Sequence, residues 1–328
     1  MITPRCDRNG RSINYLRVSV TDRCNLRCVY CMPEEGVPSI GHESILRYEE
    51  ITRVVRVAAS LGISEVRLTG GEPLVRKGIE QLVDSIALIP GLAGLSMTTN
   101  GELLAPLADS LALAGLQRVN VSLDSLRPAR FRAITRRGTL SNVLAGIEAA
   151  QRAGLQPVKI NVVVMRGIND DEVADFARLT VGAGWNVRFI ELMPLGAGAA
   201  RTYADFVPID EIRATIEAEL GSLEPAELQG NGPASVWRLP RAKGTLGFIG
   251  AISHRFCSRC NRLRLTADGK LLPCLLSDAE IDLRGPLRAG GGDAELRDLF
   301  RQAIDAKPSG HRMGERATAA HEMSRIGG

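Results

Sequence analysis

The chain has 328 residues, of which 45% are hydrophobic and 24% are charged, and its net charge is +4. This length suits one large domain or two smaller ones, and the apolar fraction is sufficient for a sizeable core. The small net charge does not indicate a nucleic-acid-binding protein. No apolar run reaches the roughly 18 residues of a membrane span, and the N-terminal residues lack the apolar stretch of a signal peptide. We therefore expect a cytoplasmic protein with neither nucleic acid nor membrane as a partner.

From residue 13 onward, strand-like and helix-like patterns alternate along the chain. Strands are predicted at 15–20, 65–69, 94–99, 118–123, 158–165 and 186–192, with helices between them at 48–61, 79–89, 103–113, 141–153 and 170–181. This alternation indicates a parallel sheet with right-handed crossovers. Because it fades after residue 194, the predicted fold is α/β, an incomplete six-stranded (β/α) barrel that is TIM-like but not closed by eight strands.

The C-terminal part is less regular. Helices are predicted at 208–220 and 294–306, whereas 223–241 is rich in glycine and proline and is expected to be irregular. An Asp268-Gly269 pair between two apolar runs predicts a β-hairpin. The predicted organisation is an N-terminal arm at 1–12, a partial barrel at 13–205, and a C-terminal region at 206–328 that ends in Gly327-Gly328.

Three cysteines lie within eight residues after the first predicted strand, in the sequence Cys24-Asn25-Leu26-Arg27-Cys28-Val29-Tyr30-Cys31. Thiolates are the usual ligands of iron–sulfur clusters, and a cluster of four irons normally takes four of them. Three thiolates would leave one iron open to a small ligand. Structural zinc is the alternative, although zinc motifs more often pair C-x2-4-C arms with a distant fourth ligand.

A second group contains Cys257, Cys260 and Cys274, and the predicted hairpin would return Cys274 to the C-x2-C pair. This group could hold a second cluster with an open iron, or a zinc ion with His254 as fourth ligand, since Cys3His is an accepted zinc set. Cys6 is left over and is interpreted as a free thiol on the N-terminal arm. An odd number of cysteines in a cytosolic chain argues against a disulfide framework.

The two cysteine groups, the Gly70-Gly71-Glu72-Pro73 turn and the terminal diglycine together resemble the MoaA family, the GTP 3′,8-cyclases of molybdenum cofactor biosynthesis. The C-x3-C-x2-C spacing alone is similar to that of all radical S-adenosylmethionine (SAM) enzymes, and the sequences at 16–24 and 257–264 narrow the likeness. The resemblance covers nearly the whole chain, from about residue 15 to residue 328. It implies two [4Fe-4S] clusters, held by the six grouped cysteines, and SAM chelated by the open iron of the first cluster.

The resemblance also implies which residues bind SAM. They are Tyr30, Gly71, Ser122 and Met193. The last three end or follow predicted strands, and sites in α/β barrels occupy that edge. Gly70-Gly71 would let backbone approach a ligand closely, and Glu72 is expected to offer a carboxylate to the methionine ammonium of SAM.

For GTP the resemblance implies a second set of residues. They are Arg17, Arg67, Thr98, Lys159, Arg262 and Arg264, and Arg188 is a further candidate. Guanidinium groups bind phosphate bidentately and lysine acts as a point charge, whereas no P-loop sequence is present. Whether these cations face the barrel interior or solvent stays open, because charged residues on strands are mostly exposed. The family can have lysine where this chain has Glu65, so no phosphate role is assigned there.

The activity implied is the conversion of GTP to (8S)-3′,8-cyclo-7,8-dihydroguanosine 5′-triphosphate, through hydrogen abstraction at ribose C3′ and attack on guanine C8. The resemblance further implies guanine binding at the second cluster, an external electron donor, a downstream cyclic pyranopterin monophosphate synthase and a diglycine end that enters the active-site channel. A homodimer is also considered. Two alternatives stay open: another radical SAM enzyme, such as a peptide-modifying one, and a non-catalytic zinc or redox-sensing protein.

Overall fold

A computed structural model describes residues 4–193, 195, 202–311 and 323–326. Its strands are β1 (Tyr15–Ser19), β2 (Glu65–Thr69), β3 (Gly94–Thr99), β4 (Arg118–Ser122), β5 (Lys159–Val164), β6 (Asn186–Glu191), β7 (Glu224–Pro225), β8 (Ser235–Arg238), β9 (Leu246–Ile249), β10 (Arg262–Leu265), β11 (Lys270–Leu272) and β12 (Ile281–Asp282). Its α-helices are α1 (Tyr48–Ser60), α2 (Ile79–Ala87), α3 (Ala108–Leu113), α4 (Pro128–Thr135), α5 (Leu140–Arg152), α6 (Val173–Gly182), α7 (Thr202–Asp205), α8 (Ile209–Leu220), α9 (Arg284–Arg288), α10 (Asp293–Asp305) and α11 (Met323–Ile326). None of the helices among these residues is long and apolar enough to cross a membrane.

The described strands form a single sheet in the order β12-β11-β10-β1-β2-β3-β4-β5-β6-β9-β8-β7. Strands β1 to β6 are parallel neighbours in chain order, which confirms the predicted incomplete barrel. The C-terminal region adds one parallel strand at each edge, β10 beside β1 and β9 beside β6. The same sheet therefore includes strands from both sides of residue 205, and the predicted domain boundaries stay a prediction.

The period of two along each strand separates an apolar face from a polar one. On β1 and β2, Leu16, Val18, Val66 and Leu68 are fully buried in the hydrophobic core, which lies between the sheet and the helices. Burying such a side chain stabilises the fold by roughly 1.5–3 kcal/mol. The residues of opposite parity, among them Arg17, therefore point to the inner, concave face of the sheet.

Three local predictions need correction. The segment at 223–241, expected to be irregular, contains β7 and β8, which are too short to show a clear alternation in sequence. The third helix begins at Ala108 because the residues from 101 to 107 form turns. Helix α4 was not predicted, since only Phe131, Ile134 and Thr135 of its eight residues are buried.

The hairpin predicted around Asp268-Gly269 is confirmed. Strands β10 and β11 are antiparallel, with Arg264 opposite Leu272 and Leu265 opposite Leu271. Gly269 has a φ of +85°, a conformation that glycine adopts without the steric cost other residues meet. The hairpin brings Cys274 back toward Cys260, so the fold places the second cysteine group beside β1.

Candidate functional site

The first cysteine group lies in the loop after β1. Cys24, Cys28 and Cys31 are free thiols and are partly exposed. The backbone N–H of Arg27 and of Val29 donate to carbonyls at the end of α4, at 3.0 and 2.9 Å, so α4 supports the loop. The thiols of Cys24 and Cys31 lie close enough to Cys28 for their charges to act on it. Burial raises the pKa of Cys24 to about 11 and that of Cys28 well above its usual value, and Cys31 raises the pKa of Cys28 further.

The Gly70-Gly71 turn packs directly against this loop. The N–H of Gly71 donates to the carbonyl of Thr21 at 2.7 Å. A Cβ placed on Gly71 would lie 2.4 Å from the Arg23 carbonyl oxygen, which is shorter than a non-bonded contact allows. Glycine is therefore required here by the backbone of the cysteine loop itself.

Glu72 is held by hydrogen bonds at the end of β3. Its carboxylate is buried and accepts hydrogen bonds from Thr99 Oγ1 at 2.7 Å, Asn100 N at 2.6 Å and Leu74 N at 3.0 Å. Burial raises its pKa to about 7 despite these bonds. These bonds fix the end of β3 to the glycine turn, and contact of the carboxylate with the methionine ammonium of SAM stays a prediction.

The other predicted SAM residues lie at the same edge of the sheet. Tyr30 donates its hydroxyl to Asp124 Oδ2 at 2.7 Å, and Asp124 Oδ1 accepts from Val163 N at 2.8 Å. Ser122 is the last residue of β4. The carbonyl of Met193 accepts from Leu195 N at 2.8 Å, and Met193 also lines the cavity described below. Contact of Tyr30, Gly71, Ser122 and Met193 with SAM stays a prediction.

The second cysteine group lines that cavity as well. Cys257 and Cys260 lie at a short 3-10 turn in which Cys260 N donates to Cys257 O at 3.1 Å. Burial by itself would raise the pKa of Cys260, but the charges of Arg262 and Lys307 outweigh it and lower this pKa to about 7. Metals bind the thiolate form of cysteine, so this environment favours ligand formation.

The position of His254 does not support the alternative of a zinc ion with this residue as its fourth ligand. In the region that the structure describes, no group of three or more His, Cys, Asp or Glu side chains is arranged to hold one metal ion. A zinc site needs all ligands within about 2.0–2.3 Å of a single ion. His254, the candidate fourth ligand, instead lies on the surface with its Nε2 2.9 Å from both carboxylate oxygens of Asp210.

A basic cavity lies between the inner face of the sheet and the C-terminal region. Five of the six residues predicted to bind GTP line it, as does the further candidate Arg188. The predicted members are Arg17, Arg67, Thr98, Arg262 and Arg264, and they share the lining with Cys257, Cys260, Cys274, Asn120, Asn161 and His311, among others. The cations therefore face the interior, which decides the alternative that the sequence left open.

Register places three of these cations in a row. Arg264 on β10 pairs with Arg17 on β1, which in turn pairs with Arg67 on β2. Neighbouring strands are about 4.8 Å apart, and like charges at directly opposite positions destabilise a sheet. Burial first, and then the neighbouring arginine charges, lower the pKa of Arg17 well below its usual value and that of Arg264 to about 10.

Two further charged residues lie near this row of arginines. Burial and the charge of Arg67 lower the pKa of Arg188 to about 9. Glu65 pairs with Arg118 at 3.0 Å, so its carboxylate is directed at a different arginine from the three in the row. Buried like charges are unfavourable unless an anion compensates them, and this geometry therefore suits a polyanionic ligand.

Several buried polar groups at the inner face have no hydrogen-bond partner among the residues that the structure describes. They include Thr98 Oγ1, Asn120 Nδ2 and Asn161 Oδ1, on three neighbouring strands. Buried polar atoms nearly always bind a partner, so such atoms indicate a ligand or water. The sequence analysis missed Asn120 and Asn161, although they share the parity of Ser122 and Lys159 on their strands.

Lys159 does not line the cavity, but lies deeper on the same face. Its ammonium donates to the carbonyl of Gln229, in the loop between β7 and β8. Burial and the charges of Arg188 and Arg67 lower its pKa to about 6. In the structure this residue is thus paired with the C-terminal region, and a role in binding GTP stays a prediction.

Ile326, near the C-terminus, also contacts this site. Ile326 is buried, and its carbonyl accepts a hydrogen bond from Arg264 Nη1 at 3.5 Å. Gly327 and Gly328 lie outside the described residues. At the other end, Cys6 is exposed and forms a β-bridge with Ser12, apart from both cysteine groups.

Comparison with known proteins agrees with this geometry. Residues 18–180 match the model of the Radical SAM superfamily, and residues 185–313 match the model named Molybdenum Cofactor Synthesis C. A curated relative from Moorella thermoacetica, named GTP 3′,8-cyclase, is 56% identical and covers 97% of this chain and 98% of its own length. A relative of the same name from Heliobacterium modesticaldum is 54% identical over 98% of this chain and 99% of its own length.

A solved structure supports the fold. SuiB from Streptococcus suis, crystallised with S-adenosylmethionine, matches with a TM-score of 0.59 and 13% identity. The match covers 88% of this chain and 68% of that chain. At this identity the likeness concerns the architecture alone, which agrees with the incomplete barrel seen here.

Proposed function

Since the chain belongs to the GTP 3′,8-cyclase family of radical SAM proteins, we propose that it converts GTP to (8S)-3′,8-cyclo-7,8-dihydroguanosine 5′-triphosphate, an early step of molybdenum cofactor biosynthesis. The observation that supports this best is the row Arg264–Arg17–Arg67 across three adjacent strands, in the cavity that the second cysteine group also lines. A nucleoside triphosphate matches both the charge and the adjoining chemistry of this cavity.

The first cysteine group is the proposed site of a [4Fe-4S] cluster. The residues suit such a cluster, because three free thiols lie in one loop of the described chain and three ligands would leave a fourth iron open to a non-protein ligand. Bound there with SAM, the cluster supplies 5′-deoxyadenosyl radical chemistry. The protein orients SAM at the edge formed by Tyr30, Gly71, Ser122 and Met193.

The basic row is the proposed triphosphate site. Arginine forks bind phosphate oxygens bidentately, and a bound polyanion relieves the repulsion between neighbouring guanidinium groups. Thr98, Asn120 and Asn161 offer the ribose or base polar atoms that have no partner within the described part of the chain. Arg262 is located between the basic row and Cys260, with its guanidinium carbon 4.9 Å from the ring centre of Phe256.

The second cysteine group is the proposed site of a second cluster, which would hold the guanine end of the substrate through its open iron. In support, Cys257, Cys260 and Cys274 line the cavity together with Arg262 and Arg264. An external electron donor, a downstream cyclic pyranopterin monophosphate synthase, a homodimer and a cytoplasmic location belong to the same proposal.

The decisive experiment is anaerobic reconstitution followed by incubation with SAM, a reductant and each nucleoside triphosphate in turn. We expect about eight irons per chain and formation of 5′-deoxyadenosine with GTP. About four irons, with activity on a peptide, would favour another radical SAM enzyme. Zinc without iron would favour the non-catalytic alternative.

Cysteine variants separate the roles of the two groups. Cys24→Ala should abolish SAM cleavage, whereas Cys257→Ala should keep about four irons and lose GTP cyclisation. Cys6→Ala is the matched control, since Cys6 is an exposed cysteine outside both groups. Wild-type iron content and GTP affinity in Cys257→Ala would make the second group structural.

A further inference from the structure

Lys307 follows α10 and is almost completely buried, with 4% of its surface exposed. Its ammonium donates to the carbonyl of Arg262 at 2.7 Å and to the carbonyl of Pro273 at 2.8 Å. A lysine ammonium has three N–H donors and no acceptor, and these two carbonyls take two of the three donors.

These contacts lie beyond the paired part of the β10–β11 hairpin. The pairing of β10 with β11 ends at Arg264 and Leu272, before Cys260 on one side and Cys274 on the other. Arg262 lies two residues after Cys260, and Pro273 directly precedes Cys274. The ammonium of Lys307 is therefore a bridge between two of the three cysteine-bearing segments.

A buried ion pair contacts the third cysteine-bearing segment, which contains Cys257. Asp7 and Arg11 form an ion pair of 2.6 Å in which both side chains are nearly inaccessible. Arg11 donates to the carbonyl of Cys257 at 2.8 Å and to the carbonyl of Pro308 at 2.7 Å. The pair thus connects the segment with Cys257 to the residue that follows Lys307.

We propose that Lys307 is a positioning residue of the second cysteine site, and that the Asp7–Arg11 pair supports the same site from the N-terminal arm. This rests on the proposed function, because it presumes a metal cluster at Cys257, Cys260 and Cys274. Groups outside the ligand set that fix the ligand-bearing segments orient the ligands and adjust the electronic properties of the metal. Here one buried ammonium fixes the backbone beside Cys260 and beside Cys274.

The test uses full-length protein in which Cys24, Cys28 and Cys31 are all replaced by Ala, so that iron bound reports on the second site only. In this background we compare Lys307→Met with Lys270→Met. Lys270 belongs to β11 of the same hairpin and is partly exposed, with its ammonium 3.8 Å from Asp282. The measurements are iron per chain, the rate of iron release to a chelator, and the electron paramagnetic resonance spectrum of the reduced cluster.

Loss of such a supporting contact typically weakens metal binding by about 10–100-fold. We expect Lys307→Met to release iron at least about ten times faster than the background and to change the spectrum, and Lys270→Met to match the background. Equal release rates and spectra in all three proteins would overturn the proposal. Should Lys307→Met fail to fold, the double variant Asp7→Asn with Arg11→Gln tests the same frame, with the same expected and contradicting results.

Failure of the proposed function is a separate result. A background protein that binds no iron would contradict the second cluster itself. A background with about four irons that are indifferent to Lys307 would contradict only the positioning role.

Discussion

At the scale of single residues, Gly71 illustrates how a residue predicted to bind a ligand also serves the fold. Its missing side chain admits the carbonyls of Asp22 and Arg23, which would lie 2.7 and 2.4 Å from a Cβ. The sequence indicated a close approach of backbone to a ligand at this turn. The structure shows that the approach of the cysteine loop already requires glycine.

We therefore expect Gly71→Ala to lower the free energy of unfolding by about 1–3 kcal/mol, the usual cost of overpacking, and to weaken SAM binding. Urea denaturation and SAM titration measure the two effects. Gly182→Ala is the matched control, because Gly182 ends α6 and a Cβ added there would meet no atom within 4 Å. It should leave SAM binding unchanged and stability equal or slightly higher. A Gly71→Ala protein with the control's behaviour would disprove the packing argument.

Lys159 gives a pH-dependent prediction. Its pKa is about 6 in the folded protein and ordinarily 10.5, so between these values the unfolded chain binds the proton more tightly. The stability of the folded protein should therefore rise with pH across this window. Lys159→Met removes this contribution, so the variant should gain in stability relative to wild type near pH 7 and lose that advantage near pH 10.5. A stability difference between Lys159→Met and wild type that does not vary with pH would contradict a lowered pKa of Lys159 in the folded protein.

Nucleotide binding should reverse the effect on Lys159. A triphosphate nearby favours the charged ammonium and raises its pKa, so GTP binding near pH 7.5 should take up protons. Calorimetry in two buffers with different ionisation enthalpies measures this uptake. Lys159→Met should reduce it, and an equal uptake in the variant would place the titrating group elsewhere.

At the scale of elements, Glu191 joins three parts of the sheet edge. It is the last residue of β6 and fully buried, and it accepts from Ile209 N at 2.9 Å at the start of α8. It also accepts from Ile252 N at 2.8 Å and Ser253 N at 3.0 Å in the segment after β9. This segment contains Ala251, which lines the cavity. The hydrogen bonds of Glu191 therefore fix the backbone of this part of the site.

Glu191→Gln replaces an acceptor oxygen by an amide donor that faces N–H groups. Leaving buried donors unpaired costs about 1–3 kcal/mol each, and chemical denaturation should show a loss of this size or more. Glu219→Gln is the control, because Glu219 pairs with Arg178 on the surface at 2.7 Å and such pairs contribute roughly 0–1 kcal/mol. Similar losses of stability in both variants would show that the hydrogen bonds of Glu191 contribute no more than a surface ion pair.

At the scale of the whole molecule, described residues near both ends of the chain contact the site. The N-terminal arm reaches the second cysteine group through Arg11, and Ile326 near the C-terminus reaches Arg264. Gly327 and Gly328 are predicted to enter the active-site channel, and they lie outside the described residues.

Deleting Gly327 and Gly328 should leave folding, iron content and GTP affinity nearly unchanged, because two terminal glycines add little packing. Cyclisation should fall sharply, as measured by product formation per chain. A short synthetic peptide with the C-terminal sequence should restore part of the activity. Full activity after the deletion would make the tail dispensable.

The sequence determined by itself whatever depends on neighbours along the chain. The spacing of Cys24, Cys28 and Cys31, the Asp268-Gly269 turn and the first six strands all follow local rules of ligand reach, turn geometry and side-chain period. These rules located the first six strands to within a few residues, and the resemblance based on the same motifs identified part of the cavity lining, including Arg17, Arg264 and Cys257.

Only the tertiary structure decided which distant segments meet. The placement of β10 beside β1 brings Arg264 opposite Arg17, and the loop between β7 and β8 engages Lys159. The bonds of Glu72 to Thr99 and of Lys307 to the cysteine hairpin likewise join residues far apart in sequence. A period of two shows which residues share a face of a strand. It does not show which face is enclosed, because that depends on the free energy of packing against segments that no local pattern specifies.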